Sequence, residues 1–88
     1  MFYVYVLRSR ATGRFYTGST EDLPRRLEQH NSGLSQATKH GRPWELLHRE
    51  EYLTRSEAML RERELKTGKG RDELARLFPP ESARSSDG

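Results

Sequence analysis

The chain has 88 residues, with 16 basic and 13 acidic side chains, a net charge of +3 and a pI near 9.6. Hydrophobic residues make up 32% and charged residues 33%, which limits the fold to one small domain with a thin core and a heavily charged surface. Cysteine is absent, so disulfides, a thiol nucleophile and a cysteine-ligated zinc are excluded.

In chain order, the first element is Phe2-Tyr3-Val4-Tyr5-Val6-Leu7. It lacks polar alternation and is rich in aromatic and β-branched residues, which predicts a strand buried on both faces. This is also the longest apolar run, far too short for a membrane span or a signal peptide, so a cytoplasmic protein with no membrane partner is expected. Ser9 to Gly13 carries turn chemistry, and Arg14 to Thr17 reads as the returning strand of a hairpin, ended by Gly18. Asp22 is placed to cap a helix, with Pro24 tolerated in the first turn, where its missing N–H would be unpaired anyway. That helix runs to about Asn31, before Ser32-Gly33. Residues 33–43 form a polar loop holding Lys39, His40, Gly41 and Arg42, closed by Pro43. Trp44 to Tyr52 makes a third, half-polar strand. Thr54 and Glu57 have the spacing of a capping box for a second helix, which reaches about Thr67 with Gly68 as its C-cap. Leu74, Leu77 and Phe78 predict a short third helix over 71–78, stopped by Pro79-Pro80. A domain over 1–78 and a disordered tail over 79–88 are therefore expected.

Helical phasing selects among the charged residues. Leu23, Arg26, Leu27 and His30 fall at i, i+3, i+4 and i+7 and share one stripe, whereas Arg25 points away from it. In the second helix, Ala58, Glu62 and Leu65 share a stripe, which sets a carboxylate among apolar contacts; a cation or metal must compensate it. Taken singly, these residues have plainer readings: Tyr5 as core, Arg26 as an ion-pair partner of Glu62, and His30 as a helix-end cap. Residues 1–44 carry seven basic and three acidic side chains, residues 45–88 nine and ten, and 13 of the 16 basic residues are arginine. Arginine grips phosphate through paired hydrogen bonds, so a basic face beside the tyrosines fits a nucleic-acid partner. Arg14, Lys39, Arg42, Lys69 and Arg71 are the candidate contacts. No ligand spacing supports zinc at His30, His40 and His48, and Gly68-Lys69-Gly70 lacks the full phosphate-loop pattern.

Tyr3-Val4-Tyr5 and Tyr16-Thr17-Gly18 are followed by an uninterrupted Tyr-x-Gly-x-Thr-x-x-Leu-x-x-Arg-Leu-x-x-His-x-x-Gly string from Tyr16 to Gly33. With Ala58-x-x-x-Glu62-x-x-Leu65-Lys66 and Thr67 to Arg71, this resembles the GIY-YIG nuclease superfamily over roughly residues 2–77. Within it, the chain is most similar to the small single-domain bacterial members, which resemble the catalytic modules of the repair excinuclease and of homing endonucleases. Thr17 departs from the isoleucine of the second tripeptide but keeps a β-branched residue.

The resemblance implies an α+β fold, a small three-stranded antiparallel sheet flanked by helices in the order β-β-α-β-α-α. It implies a metal-dependent DNA endonuclease with Mg²⁺ or Mn²⁺ held by Glu62. Arg26 would neutralise the scissile phosphate, and Tyr5 and Tyr16 match the motif tyrosines, the second a proposed general base. His30 stands where the family places a tyrosine or histidine near the nucleophile. A free phenol titrates near roughly 10, so a tyrosine serves as base only where its phenolate is stabilised, and His30 is the alternative acceptor. With 88 residues and no appended DNA-binding module, cleavage is expected to be weak in sequence choice and salt-dependent, on branched or damaged DNA in repair or processing, with a recruiting protein as a further partner. The alternative is a non-catalytic module that binds nucleic acid or a partner protein on the nuclease fold.

Overall fold

Phe2–Ser9 forms strand β1, and from Val4 to Ser9 every residue is buried, as a strand without polar alternation requires. It is the middle strand of the computed structural model, which describes residues 1–79. Ser9 anchors the turn that follows: its hydroxyl accepts from the N–H groups of Ala11 and Thr12 and donates to the Gly41 carbonyl. Gly13 takes positive φ, and the chain returns antiparallel as β2 (Phe15–Thr20).

Gly18 does not end this strand. It pairs with Tyr5 in the ladder, and β2 continues through Ser19 and Thr20. Glycine breaks a strand only where packing gives it no partner; here it lies opposite a large phenol that fills the space its side chain would take.

Helix α1 (Leu23–Ser32) is capped by Asp22, whose carboxylate accepts from the Arg25 N–H, and closes at Gly33 in the left-handed conformation. A single 3₁₀ turn, Lys39–Gly41, leads into β3 (Trp44–Tyr52), which pairs antiparallel with the other side of β1. A bulge leaves Leu47 unpaired between Leu46 and His48. Asn31 at the end of α1 grips the start of β3 from both sides, accepting from the Trp44 N–H and donating to its carbonyl.

Helix α2 (Arg55–Leu65) starts at Thr54, whose hydroxyl accepts from the Glu57 N–H and donates to the Glu57 carboxylate. It stops two residues before the expected end, with Lys66 as its cap. Gly68 is not a C-cap: Thr67 caps the next helix, and Gly68 is the first residue of α3 (Gly68–Leu77). The physical reason lies at Gly70, where a Cβ would collide with the Glu64 carbonyl and the Leu65 backbone. Glycine lets the two helices abut, so α3 starts at 68 instead of 71. Leu74 and Phe78 pack on the core as expected, but Leu77 is 60% exposed. The expected tail lies, apart from Pro79, outside the described residues.

The sheet order is β2-β1-β3, giving the β-β-α-β-α-α α+β architecture. Alternation along β1 sends Val4 and Val6 to one face, packed with Ala58, Leu65 and Leu74 of α2 and α3. Tyr5 and Leu7 go to the other, packed with Leu23, Trp44 and the partly buried Leu27 and Tyr16. No described helix is long and apolar enough to cross a membrane.

Candidate active site

The hairpin register decides which tyrosines meet. Tyr5 pairs with Gly18, and Tyr16 with Leu7, so both phenols project from the α1 face of the sheet. Their ring centroids are 6.3 Å apart. The helical stripe brings His30 beneath them: its centroid is 5.7 Å from that of Tyr5 and 4.8 Å from that of Tyr16, the latter edge-on. Its ring is fully buried. The Nε2 atom lies 2.8 Å from the Tyr5 hydroxyl, and Nδ1 lies 2.8 Å from Oγ1 of Thr38. His30 is therefore not a helix-end cap, because both nitrogens are engaged by side chains off the helix.

Arg26 stands one turn before His30, partly buried, while Arg25 is exposed. One Arg26 nitrogen donates to Oε1 of Gln29 at 2.9 Å. The guanidinium also sits beside both phenols; its hydrogen bonding to Tyr5 is the main reason it holds its proton more tightly than a free arginine. Burial pushes the Tyr5 phenol up to about 12, against the pull of Arg26. Burial, reinforced by the Arg26 charge, drives His30 down to about 4. At neutral pH the Tyr5–His30 pair is thus a phenol hydrogen-bonded to a neutral imidazole.

Glu62 comes from α2, on the opposite face of the sheet. It is 22% exposed and sits at Ser19, the β2 residue beyond Gly18, whose hydroxyl donates to Oε1 at 2.7 Å. Lys66, one turn on, reaches Oε2 at 2.5 Å. Burial alone would raise this carboxyl, but Lys66 and then Ser19 outweigh it and hold it below the usual carboxylate range. The Glu62 charge reaches Tyr5 only as the smallest of the influences on its phenol. The ion-pair reading of Arg26 with Glu62 is not realised: Glu62 is paired with Lys66.

Glu62 supplies one ionised oxygen donor of the kind Mg²⁺ or Mn²⁺ takes, and such ions keep most of their waters and bind substrate phosphate besides. Among the described residues no group of three or more His, Cys, Asp or Glu could cage an ion. The residues fit a hydrated ion shared with substrate, not a closed structural site.

The five candidate nucleic-acid contacts are spread out. Arg71 lines a small pocket of about 190 Å³ at the β2 edge with Tyr16, Thr17 and Lys66, floored by Phe15, Leu65 and Leu74. Lys69 is exposed near the start of α3, and Arg14 is exposed just before β2. Arg42 folds back onto the Lys39 carbonyl, with Lys39 itself exposed. Reading the sequence missed Ser19 and Thr38. Ser19 follows from register once β2 is extended past Gly18; Thr38, in a segment without periodicity, left no signal.

A family model described as the GIY-YIG catalytic domain matches residues 1–74. The chain is similar to a UPF0213 protein of Staphylococcus saprophyticus, 39% identical over 66 residues, 74% of this chain and 79% of that one. It is 42% identical over the same shares to a UPF0213 protein of Staphylococcus epidermidis. The solution NMR structure of a UPF0213 protein from Bacillus halodurans superposes with a TM-score of 0.53 at 34% identity, covering 89% of this chain and 86% of that one.

Proposed function

The chain belongs to the GIY-YIG catalytic-domain family, a nuclease family generally dependent on divalent metal, and from that premise we propose that it is an endonuclease hydrolysing DNA phosphodiesters with little sequence preference. The observation that carries this reading is the gathering of Tyr5, Tyr16, Arg26 and His30 on one face of the sheet, with Glu62 held at Ser19 of β2 on the other. A purely structural role would not gather two phenols, a guanidinium and a half-buried carboxylate about a single strand edge.

In this mechanism Arg26 binds the scissile phosphate and holds it beside the phenols. Mg²⁺ or Mn²⁺ on Glu62 would polarise the phosphate and stabilise the departing oxygen. Water attacks phosphorus as the opposite P–O bond breaks, and its proton must leave. His30 is fully buried with both nitrogens engaged and Tyr5 is 1% exposed, so a proton bound for the imidazole passes through Tyr5 where the bound phosphate seats its water against that hydroxyl: the water proton moves to the Tyr5 oxygen while the Tyr5 proton moves to Nε2. Tyr16, against the edge of the same imidazole, is the competing acceptor. The low proton affinity of His30 comes first from burial and then from Arg26, and a bound phosphate neutralises the second contribution. Branched or damaged DNA, and a protein that recruits the enzyme in repair or processing, are the substrate and partner proposed.

The purified protein is expected to nick DNA with Mg²⁺ or Mn²⁺. Glu62→Gln should abolish nicking while leaving DNA binding in place, and Arg26→Ala should cost about 3–4 kcal/mol of transition-state stabilisation. Undiminished nicking by Glu62→Gln, or none by wild type on linear, branched and single-stranded DNA, would overturn the proposal.

A further inference from the structure

Thr38 lies in the segment that reads as a polar loop, yet it is 1% exposed. Its backbone is fixed on every side. The Thr38 N–H donates to the Ser35 carbonyl at 3.2 Å, and its carbonyl accepts from the Gly41 N–H at 3.1 Å and from the Trp44 indole at 2.7 Å. This framework presents the hydroxyl oxygen to Nδ1 of His30, 2.8 Å away.

Two assignments fit the distances along this line, and one of them gives every hydrogen an acceptor within the protein. Among the described residues the only acceptor within hydrogen-bond distance of the Tyr5 hydroxyl is Nε2 of His30, 2.8 Å away. The Tyr5 proton therefore points at Nε2, which must be bare. Nδ1 then carries the imidazole hydrogen and gives it to the Thr38 oxygen, whose own hydrogen is directed to the Ser35 carbonyl at 3.5 Å. Each member dictates the next, from a backbone carbonyl to the phenol at the site.

We infer that Thr38 is a positioning residue: it locks His30 in the Nδ1–H tautomer, so that Nε2 faces Tyr5 as a ready proton acceptor. It touches neither substrate nor the reacting atoms. Its catalytic relevance rests on the nuclease reading of Tyr5 and His30, whereas its hold on the tautomer does not.

The test uses the full chain and two variants. Thr38→Val replaces the hydroxyl with a methyl of similar shape, and Thr38→Ser keeps the hydroxyl. The ¹⁵N shifts of the His30 imidazole report the tautomer directly. Wild type and Thr38→Ser should show a protonated Nδ1 and a bare Nε2, and Thr38→Val a mixture or the reverse. Nicking by Thr38→Val should fall in kcat on the order of tenfold or more with KM little changed, and Thr38→Ser should restore it. A wild-type His30 protonated on Nε2 overturns the inference without any variant, as does a Thr38→Val protein retaining the wild-type tautomer. A wild type with the expected tautomer that cleaves no DNA overturns the nuclease reading alone.

Discussion

At Gly18 an added Cβ would stand 2.6 Å from the Tyr5 hydroxyl and 3.2 Å from Cε1 of Tyr16. The phenol cannot retreat, because its ring is buried and its oxygen is held by His30. Gly18→Ala should therefore cost about 1–3 kcal/mol in overpacking and reduce nicking more than stability alone explains. Urea melts and nicking rates at a temperature where both proteins are folded check this; an alanine variant with wild-type turnover would contradict it. His30 yields a second expectation at this scale, in its titration. Its folded value, about 4, lies below the unfolded 6.5, so between these the unfolded chain binds the extra proton. The neutral imidazole's contribution is complete above pH 6.5 and is lost as pH falls through about 4, up to about 3 kcal/mol. Unfolding free energies at about pH 7.5, 5.5 and 4.5 should show this loss in wild type and not in His30→Gln. The α1 stripe was legible in the sequence because helical period alone separates Arg26 from Arg25. Thr38 was not, because its contact with His30 joins a helix to a segment without period.

Elements meet through a second polar cluster on the α2 face. Glu50 of β3 accepts from Arg61 of α2 at 2.9 and 3.3 Å, from the Tyr52 hydroxyl at 2.6 Å, and lies 2.8 Å from Nε2 of His48. Arg61 also pairs with Glu64 and, at 3.9 Å, with Glu73 of α3, so one guanidinium ties three elements. It immediately precedes Glu62, whose carboxylate accepts from Ser19. Burial would raise the Glu50 carboxyl, but Arg61, Tyr52 and His48 together bring it down to about 2. Its folded value is below the unfolded 4.5, so its contribution is present above pH 4.5 and lost as pH falls through about 2. Arg61→Met is expected to cost about 1–3 kcal/mol at about pH 7, with the deficit against wild type shrinking below about pH 4 as Glu50 protonates. A deficit that is constant with pH would mean that Arg61 acts through packing alone. Strand and helix order were readable from pattern and caps. The α2–α3 junction was not, because Gly68 and Gly70 signal a stop in sequence, whereas at Gly70 the close approach of two helices demands glycine for a tertiary reason.

Across the whole molecule the site straddles an edge strand, with phenols, Arg26 and His30 on one side of β2 and Glu62, Ser19 and Lys66 on the other. No pattern in a one-dimensional chain announces that two faces of a sheet meet at its rim. A substrate strand that reached both would cross the β2 edge, where Arg71 lines a pocket, with Lys69 two residues before it in α3. Phosphate contacts release counterions, and each contributes about 0.9 to the slope of log affinity against log salt for duplex DNA. Binding should be measured with Glu62→Gln, so that no cleavage intervenes, between about 50 and 200 mM salt. Lys69→Gln with Arg71→Gln should then flatten the slope by about 2, while Arg76→Gln, exposed in the last turn of α3, should leave it unchanged. A loss of affinity at constant slope would mean that the double change disturbs the fold, because only lost phosphate contacts alter the number of ions released. An unchanged slope and affinity would turn the path of the DNA away from α3 and toward Arg14, Lys39 and Arg42.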